Sequence, residues 1–203
     1  MIEGTKSGEV IGGTHKDDVI RAKGGNDLVG ANRGDDKLLG GGGNDTLYGM
    51  QDHDVSRGGP GNDFLGEFDP TAGGGVVRAR GDVTNPRGIP GSDLPGADRL
   101  FGGGGRDVLI AAGGADLVKG GGGSDYYLDG GQGRDRVIGG AGDDQIQGNE
   151  GADRLFGGDG DDEIHADDGT VDEVISCGAG DDDAWVDFDD EVDDDCEEVF
   201  TTI

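Results

Sequence analysis

Acidic side chains recur at every ninth residue through two stretches of the chain. The first stretch contains Glu9 and six aspartates, and the second contains eight aspartates with one extra residue after the fourth. Carboxylates that stack at a fixed spacing repel one another unless a cation lies between them. The aspartates that we take as candidate metal ligands are Asp18, Asp27, Asp36, Asp45, Asp54, Asp63, Asp98, Asp107, Asp116, Asp125, Asp135, Asp144, Asp153 and Asp162.

The glycines that precede these acids indicate which metal would bind. Glycine stands two residues before the acid in twelve of the fifteen units, and the exceptions are Ser7, Lys16 and Asp52. Glycine adopts positive φ readily, so the sequence predicts tight turns that expose carbonyl oxygens. Six or more hard oxygen ligands favour Ca²⁺ over Mg²⁺, which demands a stricter octahedron. The glycines that we include in these sites are Gly25, Gly34, Gly43, Gly61, Gly105, Gly114, Gly123, Gly133, Gly142, Gly151 and Gly160.

An apolar residue two positions after each acid would supply the core. It occurs in fourteen of the fifteen units, with Tyr127 among them and Ser56 as the exception. The period predicts a strand of about three residues around this position and a turn before it. Two units then close one coil, and stacked coils form two parallel sheets in which Asp27 faces Asp45 and Asp45 faces Asp63. A core this thin needs a cation in the turns to hold them.

The composition excludes several classes of protein. The 203 residues include 48 glycines and carry a net charge of -29. This charge disfavours nucleic acid and anionic membranes as partners, and no apolar run reaches the roughly twenty residues that span a bilayer. The chain also lacks the G-x-S-x-G, H-E-x-x-H, P-loop and EF-hand patterns, so we expect a binding protein and not an enzyme.

Four units match one known repeat especially well: GGGGNDTLY, GGPGNDFLG, GGAGDDQIQ and GGDGDDEIH. They follow the pattern G-G-x-G-x-D-x-U-x, in which U is apolar, and this pattern resembles the RTX, or haemolysin-type, calcium-binding nonapeptide repeat. The resemblance covers residues 4–66 and 93–165. It implies an all-β fold, a right-handed parallel β-roll (a β-solenoid) with Ca²⁺ between successive turns, and folding outside the cell once Ca²⁺ is available.

The chain divides into four predicted segments. Residues 1–66 carry the first repeat array and residues 96–165 carry the second. Residues 67–95 break the period and are rich in proline, so they form either a loop inserted into one roll or a linker between two rolls. Residues 166–203 form an acidic C-terminal cap, because a solenoid must cover the end of its core.

The C-terminal segment continues the repeat only weakly. Asp172 is followed by Val174, and Asp182 is followed by Ala184, at the spacing of the repeat. Apolar residues must cover the last coil. Those that we expect to do so are Trp185, Phe188, Val199 and Phe200.

Cys177 and Cys196 are the two cysteines of the chain, and by themselves they allow either a disulfide or two free thiols. Their surroundings, SCG and DCE, resemble the C-terminal ends of short actinobacterial calcium-binding repeat proteins. This resemblance implies a disulfide between Cys177 and Cys196 and an oxidising environment.

The sequence therefore predicts an extracellular or cell-surface protein that binds about ten Ca²⁺ ions, counted from the facing turns. Its role would be that of a structural, surface or spacer module whose protein partner is unknown. Two alternatives stay open. One is a C-terminal secretion and folding-assist domain of a larger secreted protease or lipase. The other is an adhesin fragment, since Arg80, Gly81 and Asp82 spell an RGD triplet.

Overall fold

The computed structural model describes residues 1–66, 97–111 and 113–202. Over these residues the chain forms β-strands and turns, and no helix occurs among them. None of the described residues forms a helix that is long and apolar enough to cross a membrane. The predicted insertion at 67–95 lies outside the described residues.

Two long parallel sheets contain nearly all of the strands. Sheet A has the order β1 (Ile2–Glu3), β3 (Val19–Gly24), β5 (Lys37–Gly42), β7 (Val55–Pro60), β9 (Arg99–Gly104), β12 (Leu117–Gly122), β15 (Arg136–Ala141), β17 (Arg154–Asp159) and β19 (Val174–Ala179). Sheet B has the order β2 (Val10–Gly12), β4 (Leu28–Arg33), β6 (Thr46–Gln51), β8 (Phe64–Gly66), β10 (Val108–Ile110), β13 (Tyr127–Asp129), β16 (Gln145–Gln147), β18 (Glu163–Ala166), β20 (Asp183–Asp187) and β21 (Glu198–Thr202). A small third sheet pairs β11 (Gly113–Gly114) with β14 (Gln132–Gly133).

The strand pairing confirms the predicted coil of two repeats. In sheet A, β3 pairs with β5 so that Ile20 lies beside Leu38, and in sheet B, β4 pairs with β6 so that Val29 lies beside Leu47. Successive coils therefore place equivalent residues in register, and the stack is a parallel β-solenoid. The strands of sheet A are longer than predicted, because most run for six residues through the first glycines of the next unit.

The two repeat arrays share the same pair of sheets. Strand β7 pairs with β9 and brings Ser56 beside Leu100, while β8 pairs with β10 and brings Leu65 beside Leu109. Strands from the two sides of the period break are thus hydrogen-bonded neighbours, and the stack continues from one array into the other.

Each repeat unit places one main side chain in the core, and successive units do so from alternate sheets. Ser56 occupies this core position in its own unit and is buried, as the sequence predicts, although its side chain is polar. The inward position that follows on the same strand usually holds alanine, as at Ala22 and Ala31, or glycine, and is larger at Cys177 and Val186. The large side chains that are fully buried are Val29, Ile20, Leu38, Leu47, Leu65, Leu109, Val118, Leu128, Val137, Ile146, Leu155, Ile164 and Ile175.

Two predicted core positions were wrong by one residue. Leu128, and not Tyr127, is buried and lies beside Leu109. Ile175, and not Val174, is buried and lies beside Leu155. In both units one additional residue follows the acid before the strand begins, which shifts every later side chain to the other face of the sheet.

The C-terminal end is closed differently from the prediction. Cys177 and Cys196 form the expected disulfide, and Cys196 packs with Val192 against the core. Phe188, which the sequence assigns to the cap, is 78% exposed and does not cover the core. Trp185 is half-buried in a ring stack that includes Phe200, at a centroid distance of 5.0 Å.

Candidate metal-binding turns

The repeat aspartates form two ladders, one along each line of turns. The backbone N–H of Asp27 donates to Oδ1 of Asp45 at 2.9 Å, and the N–H of Asp45 donates to Oδ1 of Asp63 at 2.8 Å. This confirms the predicted stacking of these three residues. The N–H of Asp63 continues the ladder across the period break, to Oδ1 of Asp107 at 2.6 Å. One carboxylate oxygen of each aspartate therefore ties two coils together.

All fourteen predicted aspartates belong to these ladders, which also contain members that the prediction omitted. The first ladder contains Asp18, Asp36, Asp54, Asp98, Asp116, Asp135, Asp153, Asp172 and Asp190. The second ladder contains Glu9, Asp27, Asp45, Asp63, Asp107, Asp125, Asp144, Asp162, Asp182 and Glu197.

Asp190 and Glu197 were missed by the sequence analysis. Asp190 stands two repeat lengths after Asp172, so its spacing was a usable signal. Glu197 follows Asp182 at a shorter spacing outside the period, and the sequence offers no signal for it.

The second carboxylate oxygen of the ladder aspartates is buried without a hydrogen-bond donor. Burying a carboxylate oxygen without a partner is costly, and proteins resolve it with a cation or with protonation. Among the described residues, this orphan oxygen is the Oδ2 atom of Asp27, Asp36, Asp45, Asp54, Asp63, Asp107, Asp116, Asp125, Asp135, Asp144, Asp153, Asp162, Asp172 and Asp182.

Bare glycine backbone lies against nine of the fourteen orphan oxygens. A Cβ built on Gly40 would lie 2.3 Å from Oδ2 of Asp45 and 2.8 Å from the carbonyl oxygen of Gly58 in the next coil. Carboxylate and carbonyl oxygens thus converge on a space that any side chain would fill. The absence of side chains here explains why the first residue of most units is glycine.

The eleven predicted turn glycines all adopt positive φ, from 104° at Gly25 to 148° at Gly151. A Cβ at Gly43 would lie 2.1 Å from the carbonyl oxygen of Gly25. These glycines can therefore offer only backbone oxygens to a metal. Asp52 occupies the same place in its own unit with φ of 81°, which is a strained conformation for a residue with a side chain.

The first coil closes its turns with hydroxyl groups. Oδ2 of Asp18 accepts hydrogen bonds from the N–H of Thr14 at 2.8 Å and from its hydroxyl at 2.7 Å. Glu9 accepts equivalent hydrogen bonds from Thr5. The carboxylates at this end of the ladders are therefore satisfied by their own turns, unlike those of the later coils.

Burial and neighbouring carboxylates hold the pKa of many ladder aspartates far above the usual value. Burial, reinforced by Asp135 and Asp98, raises the pKa of Asp116 to about 8. Burial and the neighbouring carboxylates Asp135 and Asp172 raise the pKa of Asp153 to about 8. Negative charge at these positions is thus unfavourable at neutral pH unless a cation is close by.

These pKa values predict that acid stabilises the metal-free chain. A carboxyl whose pKa is raised by folding contributes stability that is complete below its unfolded value of about 3.9. That contribution is lost as the pH rises through the folded values of about 6 to 8. Protein stripped of divalent ions on a chelating resin should therefore gain β-sheet circular dichroism signal between neutral pH and about pH 5. A stripped sample whose spectrum is the same at both values would contradict this prediction.

Side chains alone do not make a metal site in the described part of the chain. No group of three or more His, Cys, Asp or Glu residues there gathers around one point. An ion bound in these turns would need backbone carbonyl oxygens beside the carboxylates. Such an all-oxygen mixture of carboxylate and carbonyl ligands is typical of Ca²⁺ and unsuited to zinc.

The fold and the turns define the class of this protein as a parallel β-solenoid with oxygen-lined turns. The model of the RTX calcium-binding nonapeptide repeat matches the chain in four copies, at residues 12–47, 30–65, 94–127 and 129–164. These matches cover more than half of the chain, and the protein belongs to this family. No curated protein matches the chain.

Proposed function

We propose that the protein is an extracellular β-roll that binds Ca²⁺ in its turns and serves as a structural, surface or spacer module. The observation that carries this proposal is the set of fourteen buried Oδ2 atoms without donors. A cation is the partner that satisfies such oxygens without removing their charge. The family is defined by calcium-binding repeats and not by catalytic residues.

The residues that would hold Ca²⁺ are the ladder aspartates, through Oδ2, and the glycine-rich turns, through their carbonyl oxygens. Asp45 illustrates the set, because its Oδ1 ties two coils together while its Oδ2 faces the bare backbone of Gly40. The count of about ten ions stays a prediction. We leave Asp18 out of the proposed set because Thr14 already occupies its Oδ2.

The extracellular location rests on redox chemistry. The disulfide between Cys177 and Cys196 joins β19 to the segment that closes the last coil. Disulfides persist in oxidising surroundings and are rare in the cytosol. The environment outside the cell also supplies Ca²⁺ at the concentrations that extracellular modules use, around 10⁻⁴–10⁻³ M.

Two isosteric substitutions test the proposed ligands. Asp45→Asn keeps Oδ1 as the acceptor for Asp27 and replaces only the orphan oxygen with an amide nitrogen, so we expect bound Ca²⁺ to fall by about one or two ions. Asp18→Asn removes the same charge but can keep its acceptor toward Thr14, so the count should stay unchanged. Isothermal titration calorimetry measures both counts. Equal losses in the two variants, or no loss in either, would refute the assignment.

A further inference from the structure

The outer face of sheet A carries a regular pattern of charge. Seven consecutive strands each present one exposed cation and one half-buried apolar side chain to solvent. The pairs, from β3 to β17, are Arg21 with Val19, Lys37 with Leu39, Arg57 with Val55, Arg99 with Phe101, Lys119 with Leu117, Arg136 with Ile138, and Arg154 with Phe156.

The outer face of sheet A is positively charged although the chain as a whole is strongly negative. The strands of sheet A contain eight Lys or Arg residues and two acids, Glu3 and Asp159, within the described residues. The strands of sheet B contain one cation, Arg33. The net charge of -29 therefore hides a segregation, because half of the sixteen Lys and Arg residues lie on the strands of one sheet.

Most of these cations have no acidic partner. Arg21 pairs with Glu3 at 3.4 Å, and Arg154 lies 3.9 Å from Glu173. The five strands between them carry cations for which no ion pair forms within the described part of the chain. These cations are Lys37, Arg57, Arg99, Lys119 and Arg136.

Aromatic rings hold two of these cations in place. The guanidinium of Arg57 lies 5.0 Å from the ring centroid of Phe101, and that of Arg136 lies 4.6 Å from the ring centroid of Phe156. Cation–π contacts restrict the guanidinium groups while leaving their hydrogen-bond donors available. The face is thus partly ordered before any ligand arrives.

A shallow groove crosses three strands in the middle of this face. Arg57, Phe101 and Lys119 line a space of about 430 Å³ across β7, β9 and β12. Its floor is formed by glycines, including Gly59, Gly103 and Gly121. Without side chains on the floor, an extended chain can approach the backbone closely and lie parallel to the axis of the stack.

From this geometry we propose that the outer face of sheet A binds a linear acidic polysaccharide whose sugars each carry one carboxylate. Neighbouring strands lie about 4.8 Å apart, so the face offers one cation at each such interval. An extended chain of uronate rings presents its carboxylates at a similar repeat. Its apolar ring faces can pack against Leu39 and Leu117, each of which lies between the cations of the two neighbouring strands.

The shape and surroundings of the face favour a narrow chain over other polyanions. Exposed acids such as Asp17 and Asp35 lie in the turns beside the sheet. A DNA duplex or an anionic bilayer is wider than the strip of cations, which spans only the first three residues of each strand, and would meet this negative rim, which repels it. A single polysaccharide chain fits within the groove and avoids the rim.

The test uses the full chain in saturating Ca²⁺ and a short oligogalacturonate as the probe. Calorimetric titration should show binding that weakens with added salt, and the methyl-esterified oligosaccharide, which has the same rings without charge, should bind at least about tenfold more weakly. The double variant Arg57→Gln/Lys119→Gln should weaken binding about tenfold or more. The control Lys6→Gln/Lys16→Gln removes the same charge from turns of the first coil, outside the groove formed by β7, β9 and β12, and should bind as the unmodified protein does.

Three results with the oligosaccharide probes would overturn the proposal. The first is no binding of the charged oligosaccharide by a protein whose circular dichroism shows the folded roll. The second is equal binding of the esterified probe, and the third is equal weakening in the Lys6/Lys16 control. Duplex DNA and phosphatidylglycerol vesicles are titrated in parallel, and binding of either one in place of the oligosaccharide would also reject it. The Ca²⁺ content of each variant is measured separately, and neither double variant replaces a ladder carboxylate.

Discussion

Removing Ca²⁺ with EGTA is expected to abolish the β-sheet circular dichroism signal of this protein at neutral pH, and returning Ca²⁺ in excess is expected to restore it. The reason lies in the turns, where fourteen aspartates each bury an oxygen that no donor reaches. An unpaired buried charge costs on the order of several kcal/mol. Native domains are stable by only about 5–15 kcal/mol in total, so a few such charges suffice to unfold the chain.

The thin core cannot offset this cost. Among the described residues, each unit buries one large apolar side chain at most, such as Leu38 or Leu47, and the next inward position on the strand usually holds alanine or glycine. Glycine-rich backbone also loses more entropy on folding than other sequences do. Folding of the roll should therefore be coupled to ion binding along its whole length, and the transition should be cooperative in Ca²⁺.

Magnesium provides the matched control for this experiment. Mg²⁺ carries the same charge but requires a tighter octahedron and gives up its waters reluctantly, so it should restore much less of the signal at equal concentration. A spectrum that stays unchanged in EGTA would refute calcium-dependent folding. Full recovery with Mg²⁺ would show that charge neutralisation alone, and not calcium coordination, holds the turns.

The sequence predicted the architecture well because a solenoid is nearly one-dimensional. Each unit contacts only its neighbours one and two units away, so a period read along the chain translates directly into spatial register. The placement of Asp27 beneath Asp45 and the positive φ of Gly43 both follow from that period. Long-range topology, which is hard to predict for most folds, is contained here in the repeat itself.

The errors arose where the period was ambiguous by one residue. Two tyrosines follow Asp125, and either could have been the additional residue; pairing of Leu109 with Leu128 decides the register. Val174 and Ile175 are both apolar, and only the pairing of Ile175 with Leu155 selects between them. The local sequence does not indicate which residue faces the core, because pairing with the strand of the neighbouring coil sets the register.

The basic face was visible in the sequence but required knowledge of the coil. Lys or Arg occurs at the seventh or ninth position of every second unit, as in Arg57 and Arg99, and is absent there from the units between them. This alternation has meaning only once two units are known to close one coil, since odd and even units then belong to different sheets. Net charge averages over both sheets and conceals it.

Replacing one turn glycine with alanine should show whether the turn needs glycine for its positive φ and close backbone contact, or only for its flexibility. Gly123 has φ of 112°, and a Cβ there would lie 2.0 Å from the carbonyl oxygen of Gly105 in the preceding coil. Gly123→Ala should therefore destabilise the Ca²⁺-loaded roll strongly. The unfavourable φ alone costs about 1–2 kcal/mol, and the overlap with a backbone atom that cannot move aside adds to it.

The neighbouring Gly122 supplies a matched control one residue away. Its φ lies outside the left-handed region, and a Cβ built on it meets nothing within 4 Å. Gly122→Ala should leave stability unchanged or raise it by about 0.4–1 kcal/mol, because alanine reduces the freedom of the unfolded chain. Thermal unfolding in saturating Ca²⁺ compares the two variants. The unfolding midpoint of Gly123→Ala should lie several degrees below that of Gly122→Ala, since 1 kcal/mol corresponds to about 2–4 °C for a chain of this size. Equal midpoints would mean that the turns tolerate a side chain, and the close stacking of backbone on backbone would then not be what requires glycine at this position.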